Sequence, residues 1–258
     1  MLRVNARENR RKYVVVTRQQ RCTLPVARKF SNLALSNKVK LAGYKHSRKK
    51  RTHCAHEVIV PFIMDLVHPA TVLDIGCGTC DWLNAFQAHG SSVTGVDGPY
   101  ADIIAVKMDP SRVILHNLET PLDLQTTFDL VVSLEVAEHI HPLSAKTFID
   151  SVTRHGKIIL FSAAIPLQGG QNHLNEQWPG FWRRLFKENG YYYCDIIRPK
   201  FWDDQRVDVF YRQNMFLVCE NSLRDRYPET NTILNIVHPE SYLRARRKPF
   251  HGKRIYEA

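Results

Sequence analysis

The stretch Val72-Leu73-Asp74-Ile75-Gly76-Cys77-Gly78-Thr79-Cys80-Asp81-Trp82 constrains this chain more than any other. A short apolar run breaks into alternating glycines and then enters a segment of helical length. Glycines at such a break permit a tight turn and let a ligand approach the backbone with no Cβ in the way. The helix start beyond them supplies unpaired N–H groups and the positive end of the peptide dipole, which suit a carboxylate or phosphate. A second run ends in Gly95-Val96-Asp97-Gly98. Its acid lies about 20 residues past the glycines, the separation expected of a carboxylate that accepts hydrogen bonds from ribose hydroxyls. Strand, glycine loop, helix, strand and terminal acid in this order predict a site for an adenosine-type cofactor.

The same rhythm continues along the body. Short β-branched or aliphatic runs recur at 71–75, 93–97, 113–116, 129–134, 157–162, 191–197 and 215–220, which makes seven strand candidates. Segments of helical length fall at 54–67, 81–89, 143–154 and 178–189. Strands that are continuously apolar and alternate with helices imply a parallel sheet covered on both faces. The expected fold class is therefore α/β and Rossmann-like.

The loop also discriminates between cofactors. A dinucleotide fingerprint needs a third small residue at position 81, where Asp81 stands and would repel a pyrophosphate. Asp74, just before the glycines, likewise suits the ammonium group of a methionine moiety better than a diphosphate. Here the sequence resembles the class I S-adenosylmethionine (SAM)-dependent methyltransferases, whose first motif runs Asp/Glu-x-Gly-x-Gly-x-Gly. Asp74, Gly76 and Gly78 match it, and Cys80 takes the place of the third glycine. The resemblance covers about residues 55–220. It implies a seven-stranded, mostly parallel sheet with helices on both faces and the last strand antiparallel, with SAM across the carboxyl ends of the first strands. It also implies a cofactor site made of Asp74, Gly76, Cys77, Gly78, Asp97, Gly98 and Glu135, with Asn117 and Leu118 following the third strand near the adenine.

Phe128 through Ile140 carries Glu135-x-x-Glu138-His139 and is similar to the small-molecule subset typified by the ubiquinone-biosynthesis O-methyltransferases. Methyl transfer from a sulfonium needs mainly alignment and an electron-rich acceptor. A hydroxyl acceptor must also lose a proton, a task that histidine's pKa suits. His139 and His173 are the candidate bases. In some relatives the residues matching Glu135, Glu138 and His139 bind a divalent cation; a turn-stabilising role is the alternative, and no metal set is assigned. The polar loop from Gln168 to Trp178 reads as a substrate cover, with Asn175 and Trp178 as contacts to the acceptor. The aromatic helix behind it would pack Phe181, Leu185 and Phe186 on the sheet. Cys77 and Cys80 form a Cys-x-x-Cys pair that reads as small packing groups rather than a redox couple. His53, Cys54, His56 and Glu57 read as helix-start polar residues, with metal binding as the alternative.

Charge is distributed unevenly. Residues 1–53 hold 16 Lys/Arg against one acid, residues 54–239 hold 14 against 22, and residues 240–258 hold 6 against 2. The expected organisation is a basic N-terminal extension over 1–53 with an amphipathic helix at 26–42, a methyltransferase domain over 54–222, and a basic C-terminal extension over 223–258. Basic ends suit phosphates or anionic surfaces, so RNA or another polyanion is a candidate partner of residues 1–53. Scattered cysteines and the lack of a long apolar run imply reduced thiols, no transmembrane segment and a cytoplasmic location, with organelle import as the minor alternative. The favoured function is methylation of a hydroxyl on a small polar acceptor, sugar-like or phenolic. The rivals are methylation of RNA or protein through the basic arm, and SAM binding without catalysis.

Overall fold

The computed structural model describes residues 54–99, 108–231 and 234–247. The basic arm, its expected helix and His53 lie outside the described residues. The described elements run α1 (Ala55–Val67), β1 (Thr71–Ile75), α2 (Asp81–Ala88), β2 (Ser92–Asp97), β3 (Val113–Leu115), β4 (Leu130–Leu134), α3 (Ala145–Arg154), β5 (Ile158–Ser162), α4 (Pro179–Glu188), β6 (Tyr191–Cys194), α5 (Ile197–Phe201), α6 (Val209–Asn214), β7 (Phe216–Glu220) and α7 (Pro239–Arg247). The seven strands form one sheet in the order β3-β2-β1-β4-β5-β7-β6. β1 to β5 pair in parallel, and β7 runs antiparallel to both β5 and β6. The expected α/β class, strand number and antiparallel last strand are all present.

Side chains of a strand alternate between the sheet's faces, so continuously apolar strands feed two cores at once. Val72, Leu130, Val132, Leu160 and Leu217 pack with Ile59 and Ile63 of α1, Leu83 and Phe86 of α2, and Ile197 of α5. Their neighbours Leu73, Ile75, Val131, Ile159, Phe161 and Val218 pack with Phe148 and Val152 of α3 and with Trp182 and Phe186 of α4. Leu185 and Phe186 are buried and Phe181 packs at the edge, as the aromatic helix predicted.

Two expected elements differ from the structure. The strand expected over 191–197 stops at Cys194, because Asp195 turns the chain: its N–H bonds to Thr230 Oγ1 and its carboxylate to Arg198. Ile197 then begins α5 and packs into the core under the sheet. The helix expected from 143 begins at Ala145, after a single 3₁₀ turn over Pro142–Ser144.

Among the described residues no helix is long and apolar enough to cross a membrane.

Candidate active site

Three left-handed residues build the loop after β1: Gly76 (φ 91°), Gly78 (φ 53°) and Cys80 (φ 63°). At Gly76 a Cβ would sit 2.3 Å from Cγ2 of Val136, so glycine is required by packing as well as by backbone angle. Cys80 shows that the third turn position keeps its left-handed backbone without glycine, at a cost of roughly 1–2 kcal/mol. The N–H groups of Gly76 and Cys77 donate to the Val96 carbonyl (2.7 and 3.1 Å) and pin the loop against β2. The Cys77 thiol is held far above the ordinary range by its hydrogen bond with Cys80 and by burial. A protonated, buried thiol is a packing group.

Two carboxylates flank this loop. Asp97 accepts the N–H of Gly78 through Oδ2 and that of Gly98 through Oδ1, each at 2.6 Å, so it is fixed at the carboxyl end of β2. Asp74 is 3% exposed and receives no hydrogen bond from any described residue. Burial, reinforced by the Asp97 charge, pushes its carboxyl well above the usual carboxylate range. A buried acid with no donor among the described residues is suited to receive a cation. An amino-acid ammonium fits that requirement, and the open glycine turn with Asp97 beyond it fits a ribose. After β3, the His116 N–H bonds to the Asp97 carbonyl (2.8 Å), which carries exposed Asn117 and buried Leu118 to the same sheet end.

The turn after β4 adds the acid–imidazole group. Glu135 is left-handed (φ 55°), and its N–H is held by the carbonyl and Oγ of Ser162. Its carboxylate accepts Nε2 of Gln168 (2.7 Å) and Nδ2 of Asn214 (3.2 Å). Burial raises this carboxyl, while the Gln168, Asn214 and Ser162 bonds oppose the rise. The next residue, Val136, is the one that touches Gly76, so Glu135 adjoins the glycine loop. Glu138 and His139 follow in a 3₁₀ turn. The Glu138 carbonyl accepts the N–H groups of Leu174 and Asn175 (2.8 and 2.9 Å), tethering the polar loop over the turn. That tether sets the His173 ring perpendicular to His139, with centroids 4.9 Å apart.

His173 Nδ1 lies 2.9 Å from Glu176 Oε1, and its Nε2 lies 4.0 Å from Glu138 Oε1. His139 Nδ1 lies 3.2 Å from the Asn172 carbonyl. Burial alone would raise the Glu176 carboxyl, but bonds from His173, Gly169 and Leu167 outweigh it and hold the group below its ordinary value. Glu138 is pushed well above its usual range by burial and by the Glu135 and Glu176 charges. Its Oε2 is buried without a partner, as is Nδ2 of Asn175. One ligand atom each from Glu138, His139 and His173 lies within 4.8 Å of the others.

The structure thus gathers the expected loop residues at the carboxyl ends of β1 and β2, and brings His139, His173 and Asn175 together beside them. Trp178 is 37% exposed at the start of α4. His173 joins Glu138 and His139, while Glu135 turns to Gln168 and Asn214. Glu176, Gln168 and Asn214 carried no role in the sequence. Glu176 had a local signal, standing three residues after His173, whereas Asn214 lies 79 positions from Glu135. Cys54, His56 and Glu57 also come within 4.8 Å of one another at the start of α1. A cleft lined by His68, Asp129, Lys157 and Glu220 lies at the opposite end of the sheet, away from the strand ends where such folds bind ligands.

This strand order, with a glycine loop after β1 and an acid ending β2, is that of a class I SAM-dependent methyltransferase, whose cofactor is SAM. A family model described as a methyltransferase domain matches residues 44–195, more than half of the chain, and the chain belongs to that family. Two ubiquinone biosynthesis O-methyltransferases are similar over shorter stretches. The one from Rhodopseudomonas palustris (strain BisA53) is 32% identical over 79 residues, 29% of this chain and 31% of the relative. The one from Nitrobacter winogradskyi is 28% identical over 118 residues, 43% of this chain and 41% of the relative. The chain therefore matches less than half the length of either. Among solved structures, a SAM-dependent methyltransferase from Clostridium acetobutylicum ATCC 824 shares the fold at 12% identity and TM-score 0.50, covering 67% of this chain and 94% of that one. The SAM-bound amino pentose methyltransferase CalS10 from Micromonospora echinaspora does so at 14% identity and TM-score 0.50, covering 67% and 93%.

Proposed function

We propose that the protein transfers the methyl group of SAM to a hydroxyl of a small polar acceptor, sugar-like or phenolic. The observation that carries this reading is the His173–Glu176 pair beside His139 and the buried Glu138, set next to the cofactor loop. Bound SAM supplies a methyl on a positively charged sulfur, so the protein's part is alignment and proton removal. Asp74 would hold the ammonium group and Asp97 the ribose hydroxyls, while the turns at Gly76 and Gly78 keep the loop open to the cofactor.

With its Nδ1–H donated to Glu176, His173 presents a bare Nε2 toward Glu138 and His139. That lone pair would take the acceptor's proton, and Glu176 would stabilise the imidazolium formed. The unpartnered Oε2 of Glu138 supports an alternative in which the His173 Nε2 lone pair goes to a cation instead of to the acceptor's proton. Glu138, His139 and His173 are a donor set suited to a divalent cation, which would lower the pKa of a bound acceptor hydroxyl. Asn175, with a buried and unpartnered amide, and Trp178 at the loop's end would contact the acceptor. Methylation of RNA or protein, with residues 1–53 gripping the polyanion, rests on charge alone.

The test is incubation with methyl-labelled SAM and an extract of the source cells, split into small-molecule, RNA and protein fractions. Label is expected in the small-molecule fraction, as an ether stable to mild base. Label in RNA or protein would overturn the reading of the acceptor. Bound SAM with no label in any fraction would point to a binding protein.

A further inference from the structure

A chain of amides runs from the C-terminal segment to the turn after β4. The His238 N–H donates to Gln213 Oε1 (2.8 Å), and Gln213 Nε2 donates to Asn214 Oδ1 (2.9 Å). Asn214 Nδ2 donates to Glu135 Oε1 (3.2 Å) and to Gln168 Oε1 (2.8 Å). Gln168 Nε2 donates to the other Glu135 oxygen (2.7 Å). Gln213 and Asn214 are 1% and 2% exposed. Chemistry at the two ends sets the direction of every link. A backbone N–H can only donate and an ionised carboxylate can only accept, so neither intervening amide can flip without breaking a bond. The far end is itself anchored. His238 Nε2 lies 3.0 Å from the Trp202 carbonyl, Arg212 donates to that carbonyl and to Glu240 of α7, and Arg198 donates to the Leu234 carbonyl.

We propose that Gln213 and Asn214 are positioning residues through which the C-terminal segment fixes the Glu135 carboxylate beside the glycine loop, making residues 234–240 a working part of the cofactor site. The segment lies beyond residues 44–195, the stretch that the methyltransferase-domain model matches. It reaches the site through α6, whose last three residues, Arg212 to Asn214, are polar and buried. Buried amides are costly unless paired, and the Gln213 and Asn214 bonds join the His238 N–H at one end to the Glu135 carboxylate at the other. The inference rests on the reading of this end of the sheet as the SAM site.

Titration of SAM and of its demethylated product against single and double variants tests it. Gln213→Glu reverses the chain, because a carboxylate facing Asn214 draws its Nδ2 and turns Oδ1 toward Glu135. SAM binding should weaken about tenfold, the size expected for a charged hydrogen bond lost in a coupled network. In the Glu135→Gln background no charged carboxylate remains for the chain to orient, and the amide introduced at position 135 can donate to the reversed Asn214 Oδ1, leaving only the neutral Asn214–Gln168 link unmet. Gln213→Glu should then add less than a twofold loss. Gln213→Met, a near-isostere with no hydrogen-bonding group, should weaken binding comparably while keeping a cooperative thermal transition, and it serves if the glutamate variant does not fold. Equal losses from Gln213→Glu with and without Glu135→Gln, or full affinity in Gln213→Met, would overturn the positioning role alone. Absence of SAM binding by the unaltered chain would overturn the site reading and this inference with it.

Discussion

Asp74 is a buried acid that receives no hydrogen bond from a described residue. Its carboxyl titrates above the ordinary range because burial and Asp97 disfavour the charge. The folded pKa therefore exceeds the unfolded one, and stability is lost as pH rises from the unfolded value through the folded one. Asp74→Asn should raise the melting midpoint of the cofactor-free protein at neutral pH by about 2–4 °C, the shift that ~1 kcal/mol produces in a chain of this size. Below about pH 4, where the acid is protonated in both states, the gain should vanish. A midpoint lower than wild type at neutral pH would mean that Asp74 is already satisfied. Glu176 makes the opposite case, because its charge is stabilised by the groups it holds in place. Glu176→Gln should lower kcat roughly tenfold by releasing the orientation of His173, with little change in the KM for SAM. Steady-state kinetics separates the two parameters, and an unchanged kcat would remove His173 from the proton path.

At the scale of elements, Gly76 ties β1 to the turn after β4. Gly76→Ala combines a left-handed backbone with a methyl driven into Val136 and should destabilise the fold by about 2–4 kcal/mol. Val136→Ala in the same chain should return part of that loss by removing the clash while leaving the backbone strain. Denaturant unfolding of the single and double variants measures both. The sheet was legible because its central strands are buried on both faces and read as continuous apolar runs. The glycine loop and Asp97 were legible because they form one local unit. Where an apolar run had two causes the reading failed: Ile196 and Ile197 look like a continued strand but serve α5. The short helix α6 escaped notice because its buried residues include Arg212, Gln213 and Asn214, which leave no hydrophobic period. Its link to Glu135 is a long-range contact that no local pattern records, whereas the Glu138–His139 turn was visible as a motif. His173 joins that pair because the polar loop folds back onto the Glu138 carbonyl.

For the whole molecule, charge divides along the sequence, with an acidic stretch over 54–239 between basic ends. A small acceptor needs only the sheet end described here, so deleting residues 1–50 should leave methyl transfer to the small-molecule fraction within about twofold of the full chain, while a polyanion acceptor would lose most of its electrostatic binding. Everything else in the account depends on one claim, that the loop between Asp74 and Asp97 is where SAM binds. Equilibrium titration of SAM against the unaltered protein and Asp74→Asn tests that claim most directly. Saturable one-to-one binding by the unaltered chain is expected, with an affinity at least about tenfold weaker in the variant, the loss of one charged, buried contact. Equal affinity in the two proteins, or no binding by either, would contradict it.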